Sequence, residues 1–149
     1  MSDTTDHYLA PGLAAPRPAR DGLDQPYWTG TTNHQLWVQQ CDDCATFQWG
    51  PEWMCHACQS FDVGWTEVEP TGRIYSWQRP HHPVHPALAD QGPYLVVLVE
   101  LPQAGNIRMV GNLLGDPLQE VTIGAPVTAV FEDHAEADPA YTLVQWRPA

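Results

Sequence analysis

The C-terminal half of the chain contains five short segments in which apolar residues either alternate with polar ones or run together. Gly72–Arg79 alternates, whereas Tyr94–Leu101 is almost continuously apolar, as expected of a strand buried on both faces. Three further segments of this kind are Ile107–Leu114, Val127–Glu132 and Tyr141–Trp146. Turn residues separate all five, and no convincing helical period lies between them. This pattern predicts a mainly β fold that ends in a small closed barrel.

The N-terminal half divides into two parts. Residues 1–23 are rich in alanine, proline and small polar residues without any period, which predicts a flexible tail. Residues 24–66 begin with bulky anchors around Tyr27 and Trp28 and continue into the cysteines. The anchors predict a helical turn followed by a strand through Leu36–Val38. Residues 67–149 are predicted to form the barrel.

All four cysteines belong to two Cys-x-x-Cys knuckles, Cys41/Cys44 and Cys55/Cys58, which ten residues separate. Two facing knuckles form a tetrahedral thiolate cage, and because four ligands close the shell, a bound zinc ion is predicted to be structural. Two disulfides would need an oxidising compartment, and a redox Cys-x-x-Cys usually lies in a βαβ setting, neither of which the sequence indicates. Iron in the same cage is the main alternative metal. His56, inside the second knuckle, is expected to be a bystander.

A module of about 30 residues buries little core, so the metal is expected to supply much of its folding free energy. Six aromatic residues near the cysteines are predicted to form its hydrophobic casing: Trp37, Phe47, Trp49, Trp53, Phe61 and Trp65. Three tryptophans of this half, Trp28, Trp49 and Trp53, are also candidates for contact with a protein partner.

The charge distribution narrows the functional classes. The chain carries 18 carboxylates against six basic residues, all arginine, for a formal net charge of −12. Nucleic-acid binders normally present a basic patch, so no nucleic-acid partner is expected. The longest apolar run, Leu95–Val99, is too short to span a membrane, and no secretory signal is visible. A cytoplasmic location without a membrane partner is therefore predicted.

A stand-alone enzyme would need a catalytic set that the sequence does not show. Every cysteine is used in a knuckle, and the nucleophile-elbow, Walker A and dinucleotide-binding motifs are missing. His81, His82 and His85 cluster after the first barrel strand, where they could bind a metal or act as a base. Prolines stiffen this segment, however, and no nearby carboxylate spacing completes a metal site. The three histidines are therefore predicted to lie in an exposed loop or to contact a partner.

The order of these motifs resembles a known family. The knuckles are followed by Gly72-Arg73-Ile74-Tyr75-Ser76-Trp77, Pro93-Tyr94-Leu95-Val96-Val97-Leu98-Val99-Glu100-Leu101 and Ile123-Gly124-Ala125-Pro126-Val127. Together they resemble, from about Tyr27 to Trp146, the family called domain of unknown function 35. The resemblance implies a rubredoxin-like zinc ribbon followed by a five-stranded OB-fold barrel. Many members carry an arginine where this chain has Pro51–Met54, so any contact made by that arginine is not carried over.

Members of this family are typically small partners of thiolase-like enzymes. The resemblance therefore implies a hetero-oligomer around a thiolase-like dimer, in which the other chain carries the catalytic residues and acyl-CoA is a shared ligand. Related pairs condense or cleave acyl-CoA, and one branch cleaves steroid side-chain acyl-CoA esters by retro-aldol chemistry. Coenzyme A needs cations for its phosphates and an aromatic face for adenine. The candidates next to the predicted strands are Arg73, Trp77, Arg79 and Arg108.

The sequence alone leaves two other functions open. OB-folds and zinc ribbons also bind single-stranded nucleic acid, which the negative charge disfavours. An independent acyl-CoA hydrolase or lyase would need a base and an oxyanion site that the sequence does not show. A non-catalytic subunit of a thiolase-like complex is the leading hypothesis.

Overall fold

The computed structural model describes residues 17–18, 22–82 and 85–149, and its strands form two sheets. The helix is α1 (Gln25–Thr32), and the strands are β1 (Leu36–Cys41), β2 (Phe47–Gln48), β3 (Val63–Val68), β4 (Thr71–Gln78), β5 (Val96–Leu101), β6 (Ile107–Asn112), β7 (Pro126–His134) and β8 (Tyr141–Pro148). Short 3₁₀ turns cover Pro86–Leu88 and Pro102–Ala104. Most of the predicted tail, residues 1–16 and 19–21, lies outside the described residues. In the described part of the chain, no helix is long and apolar enough to cross a membrane.

The first sheet is small and carries the cysteine module. Its strand order is β2-β1-β3, and β1 pairs antiparallel with β3 from Leu36 opposite Val68 to Cys41 opposite Val63. Leu36 and Val38 are fully buried, which fixes the face that β1 turns to the core. The strand therefore delivers Cys41 to the end of the sheet at a defined position.

The second sheet is a nearly closed barrel of five antiparallel strands in the order β6-β5-β4-β7-β8. A parallel bridge between Leu113 and Trp146, with a 2.8 Å hydrogen bond from the Leu114 N–H to the Trp146 carbonyl, brings the two ends together. The indole of Trp146 is fully buried, and it fits because residue 111 is glycine: a Cβ there would lie 2.7 Å from the indole Cδ1. The predicted five-stranded barrel is confirmed.

The predicted burial of the second barrel strand on both faces is only partly correct. In β5, Val97 and Val99 are fully buried, whereas Val96 and Leu98 on the other face are half-exposed. In β4, a bulge between Ile74 and Ser76 leaves Tyr75 without a partner in β5 and exposes its ring. The outer face of β4, β5 and β6 is therefore a solvent-facing surface.

Helix α1 packs against both sheets, and it matches the helical turn predicted from the aromatic anchors. It packs on β1 and on β8, and its Tyr27 is buried. The Tyr27 ring lies edge-on to Trp28 at 5.0 Å and to Trp49 at 4.8 Å. One hydrophobic core runs from this helix through β1 into the barrel. The ribbon and the barrel thus share a core.

Replacing Gly72 with alanine is expected to destabilise the barrel. A Cβ there would lie 2.5 Å from Cγ1 of Val99 and 2.8 Å from the Glu100 carbonyl oxygen. Because both strands are paired, overpacking of this kind costs about 1–3 kcal/mol of the free energy of unfolding. Urea denaturation measures the loss, and Gly92→Ala is the control, since nothing lies within 4 Å of a Cβ at that position. Equal stability of the two variants would contradict this close packing of β4 on β5.

Candidate metal centre and its surroundings

The two Cys-x-x-Cys knuckles have the same local structure. In the first, the Ala45 N–H donates to the Cys41 carbonyl at 3.0 Å, and in the second, the Gln59 N–H donates to the Cys55 carbonyl at 2.9 Å. Ala45 and Gln59 both adopt left-handed backbone angles, with φ of 60° and 63°. This turn lets the chain reverse immediately after the second cysteine of each pair, so both sulfurs of a knuckle point the same way.

The four sulfur atoms converge on one point. Sγ of Cys41 lies 3.6 Å from Sγ of Cys58, and Sγ of Cys44 lies 3.6 Å from Sγ of Cys55. All four lie within 4.8 Å of one another. A tetrahedral zinc ion with Zn–S bonds of about 2.3 Å separates its ligands by about 3.8 Å, so the cluster fits that ion. The cysteines are free thiols, and a disulfide would need sulfurs at about 2.05 Å.

The thiols perturb one another because they are crowded. The side chain and backbone of Thr46 lower the pKa of Cys44 to about 6. The Ser60 backbone favours the Cys58 thiolate, yet the Cys44 thiol foremost, followed by desolvation and the thiols of Cys41 and Cys55, raises the pKa of Cys58 to about 12. Four thiolates this close repel one another unless a cation lies among them. A divalent metal held by Cys41, Cys44, Cys55 and Cys58 would remove this repulsion and stabilise the ribbon as a structural centre.

Two buried glutamines that no sequence motif indicated hold the loop that leads to the third cysteine. The Gln39 amide accepts from the Glu52 N–H at 3.0 Å and donates to the Glu52 carbonyl at 2.8 Å. Gln48 donates to Gln39 Oε1 at 2.5 Å and accepts from the His56 N–H at 3.2 Å. Their signal in the sequence is weak, because glutamine is ordinarily expected to be exposed. His56 touches this network only through its backbone.

The predicted aromatic casing is wrong for two of its six members. Trp53 is 70% exposed and Phe61 is 76% exposed, so neither covers the cysteine cluster. Phe47, Trp49 and Trp65 are half-buried and pack against the shared hydrophobic core. Of the three tryptophans predicted to meet a partner, only Trp53 therefore offers most of its ring to solvent. Trp28 packs against the core, and its indole N–H donates to Asp24 at 2.7 Å.

The histidines after the first barrel strand form no metal site in the described residues. His81 and His82 are exposed, and residues 83–84 lie outside the described part. His85 is also exposed, and its Nδ1 accepts from the Ala87 N–H at 3.2 Å. Within the described ranges, the four cysteines form the one group of three or more potential metal ligands. An exposed loop, one of the two predicted outcomes, is what the structure shows for these side chains.

Three of the four residues proposed to contact coenzyme A are arginines that make specific intramolecular contacts. Arg73 donates to Glu100 Oε1 at 2.6 Å and Arg108 donates to Oε2 at 3.2 Å, while the Arg108 guanidinium lies 3.6 Å from the centre of the Tyr75 ring. The two guanidinium groups, Arg73 foremost, lower the pKa of Glu100 despite its burial. Arg73, Glu100 and Arg108 are direct cross-strand neighbours, which explains the arrangement.

Arg79 has a different role from the other two arginines. Its guanidinium donates to the carbonyls of Pro117 and Gln119, in the long connection between β6 and β7, and lies 5.1 Å from the Trp77 ring. Arg79 therefore ties this connection to the end of β4. Trp77 remains on the barrel surface beside it, with part of its ring exposed.

The fold and the cysteine cluster together define a class of protein, a ribbon of zinc-binding type joined to an OB-fold barrel. A family model described as the C-terminal OB-fold domain of ChsH2 matches residues 65–132. The chain is also similar to a chain in the solved structure described as "Ltp2-ChsH2(DUF35) aldolase", with 37% identity and a TM-score of 0.74. That match covers 89% of this chain and 98% of the other. The chain belongs to the DUF35 family, as its motifs predicted.

Relatives with curated names are longer. A probable enoyl-CoA hydratase alpha subunit of Thermomonospora curvata is 39% identical over 140 residues, which is 93% of this chain and 41% of the relative. The 3-oxo-4,17-pregnadiene-20-carboxyl-CoA hydratase alpha subunit of Mycobacterium tuberculosis is 28% identical over 122 residues, which is 82% of this chain and 36% of the relative. The chain thus spans about two fifths of the length of these relatives. A DUF35 protein of unknown function from Sulfolobus solfataricus shares the fold, with a TM-score of 0.58 and 12% identity over 87% of each chain.

The purified chain is expected to contain one zinc ion, and its removal by a chelator is expected to unfold the ribbon. Cys55→Ser should lose most of the metal, because it removes a buried ligand, whereas His56→Ala should keep it. Elemental analysis measures the metal, and visible thiolate-to-iron absorption would identify iron instead. Full zinc content in Cys55→Ser, or a metal-free wild-type chain that keeps its ribbon, would contradict the assignment.

Glu100→Gln is expected to destabilise the protein at pH 7 and to have much less effect in acid. Because Arg73 and Arg108 lower the pKa of Glu100, its stabilising effect is complete above the ordinary glutamate pKa of about 4.3. The effect disappears as the pH falls through the lowered pKa of the folded state. Denaturation of wild type and variant from pH 7 to pH 3 measures this, with exposed Glu136→Gln as the control. A stability difference that stays constant over this range would show that the carboxylate charge is not responsible.

Proposed function

We propose that the chain is a non-catalytic, acyl-CoA-associated subunit of a thiolase-like aldolase complex. The main support is its 37% identity to a chain of the aldolase structure that pairs Ltp2 with ChsH2, over 98% of that chain. A subunit similar to Ltp2 is therefore the proposed partner. In this proposal the partner supplies the catalytic groups.

The chemistry of the side chains agrees with a non-catalytic role. All four cysteines converge on one point, so none is available as a nucleophile. In the described residues, the exposed histidines of the loop after β4 do not belong to any cluster of potential metal ligands. The two arginines on the outer face of the barrel already neutralise Glu100. In this proposal these side chains bind ligands or stabilise the structure, and they do not transfer protons.

The proposed substrate is a coenzyme A thioester, and a steroid side chain is the proposed acyl group. Both curated relatives are named for hydration of CoA thioesters, and one name specifies a steroid acid. Hydration of an enoyl-CoA gives a β-hydroxyacyl-CoA, and retro-aldol cleavage breaks the Cα–Cβ bond of such a compound. The activities named for the relatives thus act on successive compounds, and a common acyl-CoA-associated module suits both.

Arg73 and Arg108 remain the better candidates for contact with the coenzyme A phosphates. Their side chains are 52% and 44% exposed, so both can bind an anion in addition to Glu100. Arg79 is the weakest candidate, because its guanidinium is used by two backbone carbonyls. Trp77 lies on β4, as Arg73 does, and part of its ring is exposed.

Co-expression with the Ltp2 subunit is expected to give a stable hetero-oligomer by size-exclusion chromatography with light scattering. Retro-aldol cleavage of a β-hydroxyacyl-CoA should require the Ltp2 subunit, whereas the isolated chain should show no turnover. Cleavage by the isolated chain would contradict the non-catalytic role. A failure of the two proteins to associate would contradict the subunit role.

A further inference from the structure

Three apolar side chains stand out from the ribbon beside the second knuckle: Trp53, Met54 and Phe61, here called the ribbon tip. All three are exposed, Trp53 and Phe61 for most of their surface. Met54 immediately precedes Cys55 and Phe61 immediately follows Ser60, and a 2.8 Å hydrogen bond from the Cys55 N–H to the Ser60 carbonyl joins these two positions. The tip is therefore built on the cysteine cluster itself.

The loop that carries the tip is held firmly although its side chains face solvent. Gln39 binds both backbone polar groups of Glu52, the residue before Trp53. Gln48 donates to the Met54 carbonyl at 3.4 Å and accepts from the His56 N–H. Both glutamines are almost completely buried. An exposed tryptophan on a loop fixed in this way loses little further conformational entropy on binding, as is typical of a preorganised contact.

The charge around the tip has one sign. Between Arg20 and Arg73 the chain has no basic residue other than histidine, and it has eight carboxylates: Asp21, Asp24, Asp42, Asp43, Glu52, Asp62, Glu67 and Glu69. Glu52 adjoins Trp53 and Asp62 adjoins Phe61, and both are exposed. An apolar tip surrounded by carboxylates matches an apolar pocket that is surrounded by cations.

We propose that the ribbon tip inserts into an apolar pocket with an arginine- and lysine-rich rim on the thiolase-like subunit. This inference rests on the proposed function and adds the surface through which the two chains meet. A second copy of this chain does not fit as the occupant, because two chains with a net charge of −12 would bring their acidic ribbons together. Nucleic acid and anionic membranes are disfavoured by the same charge.

The inference is tested by titrating the full-length chain with the Ltp2 subunit in a calorimeter. Trp53→Ala is expected to raise the Kd about 30-fold or more, because large aromatic anchors dominate protein interfaces. Phe61→Ala should raise it about tenfold. Leu118→Ala is the matched control, since Leu118 is a similarly exposed apolar residue of the barrel half. The Kd of this control variant should stay within about twofold of the wild-type value. Unchanged metal content in each variant shows that the ribbon is folded.

Salt gives an independent readout of the proposed rim. The wild-type Kd should increase with sodium chloride, and Glu52→Gln should flatten that dependence, because one of the charges next to Trp53 is removed. If the wild-type chains bind but neither tip variant weakens binding, the tip is not the docking surface and the subunit role still stands. If the wild-type chains do not bind at all, the proposed function and this inference are both overturned.

Discussion

The convergence of four thiols is the constraint on which the rest of the ribbon depends. Its first sheet has one six-residue strand at the centre and a two-residue strand at one edge, which is too little to hold the knuckles together by burial alone. Four sulfurs within 4.8 Å would repel one another as thiolates, so the arrangement is stable when a cation neutralises them. The buried glutamine pair and the shared core then fix the orientation of this centre relative to the barrel.

Charge is arranged differently in the two halves of the molecule. The sequence from Arg20 to Arg73 has eight carboxylates and no lysine or arginine between these two residues, which favours a negative potential at the ribbon. The outer face of the barrel instead pairs Glu100 with two arginines across three strands, and one guanidinium also covers the Tyr75 ring. Half of the arginines in the chain, Arg73, Arg79 and Arg108, thus lie on or next to this face. An anionic ligand and a cationic protein surface would therefore favour different surfaces of the molecule.

The five barrel strands and the cysteine cluster could be predicted because both follow from local rules. Strand periodicity and turn residues determine the barrel strands, and Cys-x-x-Cys spacing determines the knuckles. Side-chain exposure could not be predicted in the same way. Trp53 and Phe61 lie close in sequence to the half-buried Trp49 and Trp65, and only the path of the loop shows that they face solvent. The pairing of Arg73 with Glu100 likewise depends on the register of β4 against β5, which composition does not specify.

The same ribbon and barrel occur in proteins named for different reactions, which limits what the shared fold can explain. A chain in an aldolase structure matches nearly the whole module, and two hydratase alpha subunits contain it as about two fifths of their length. The cysteine cluster of this chain is suited to holding structure, and a shared fold does not by itself select a reaction. The choice of reaction must then depend on the surfaces that the module presents to its neighbours. The candidate surfaces in this chain are the apolar ribbon tip with its neighbouring carboxylates and the arginine-bearing barrel face, and one shared core underlies both the ribbon and the barrel.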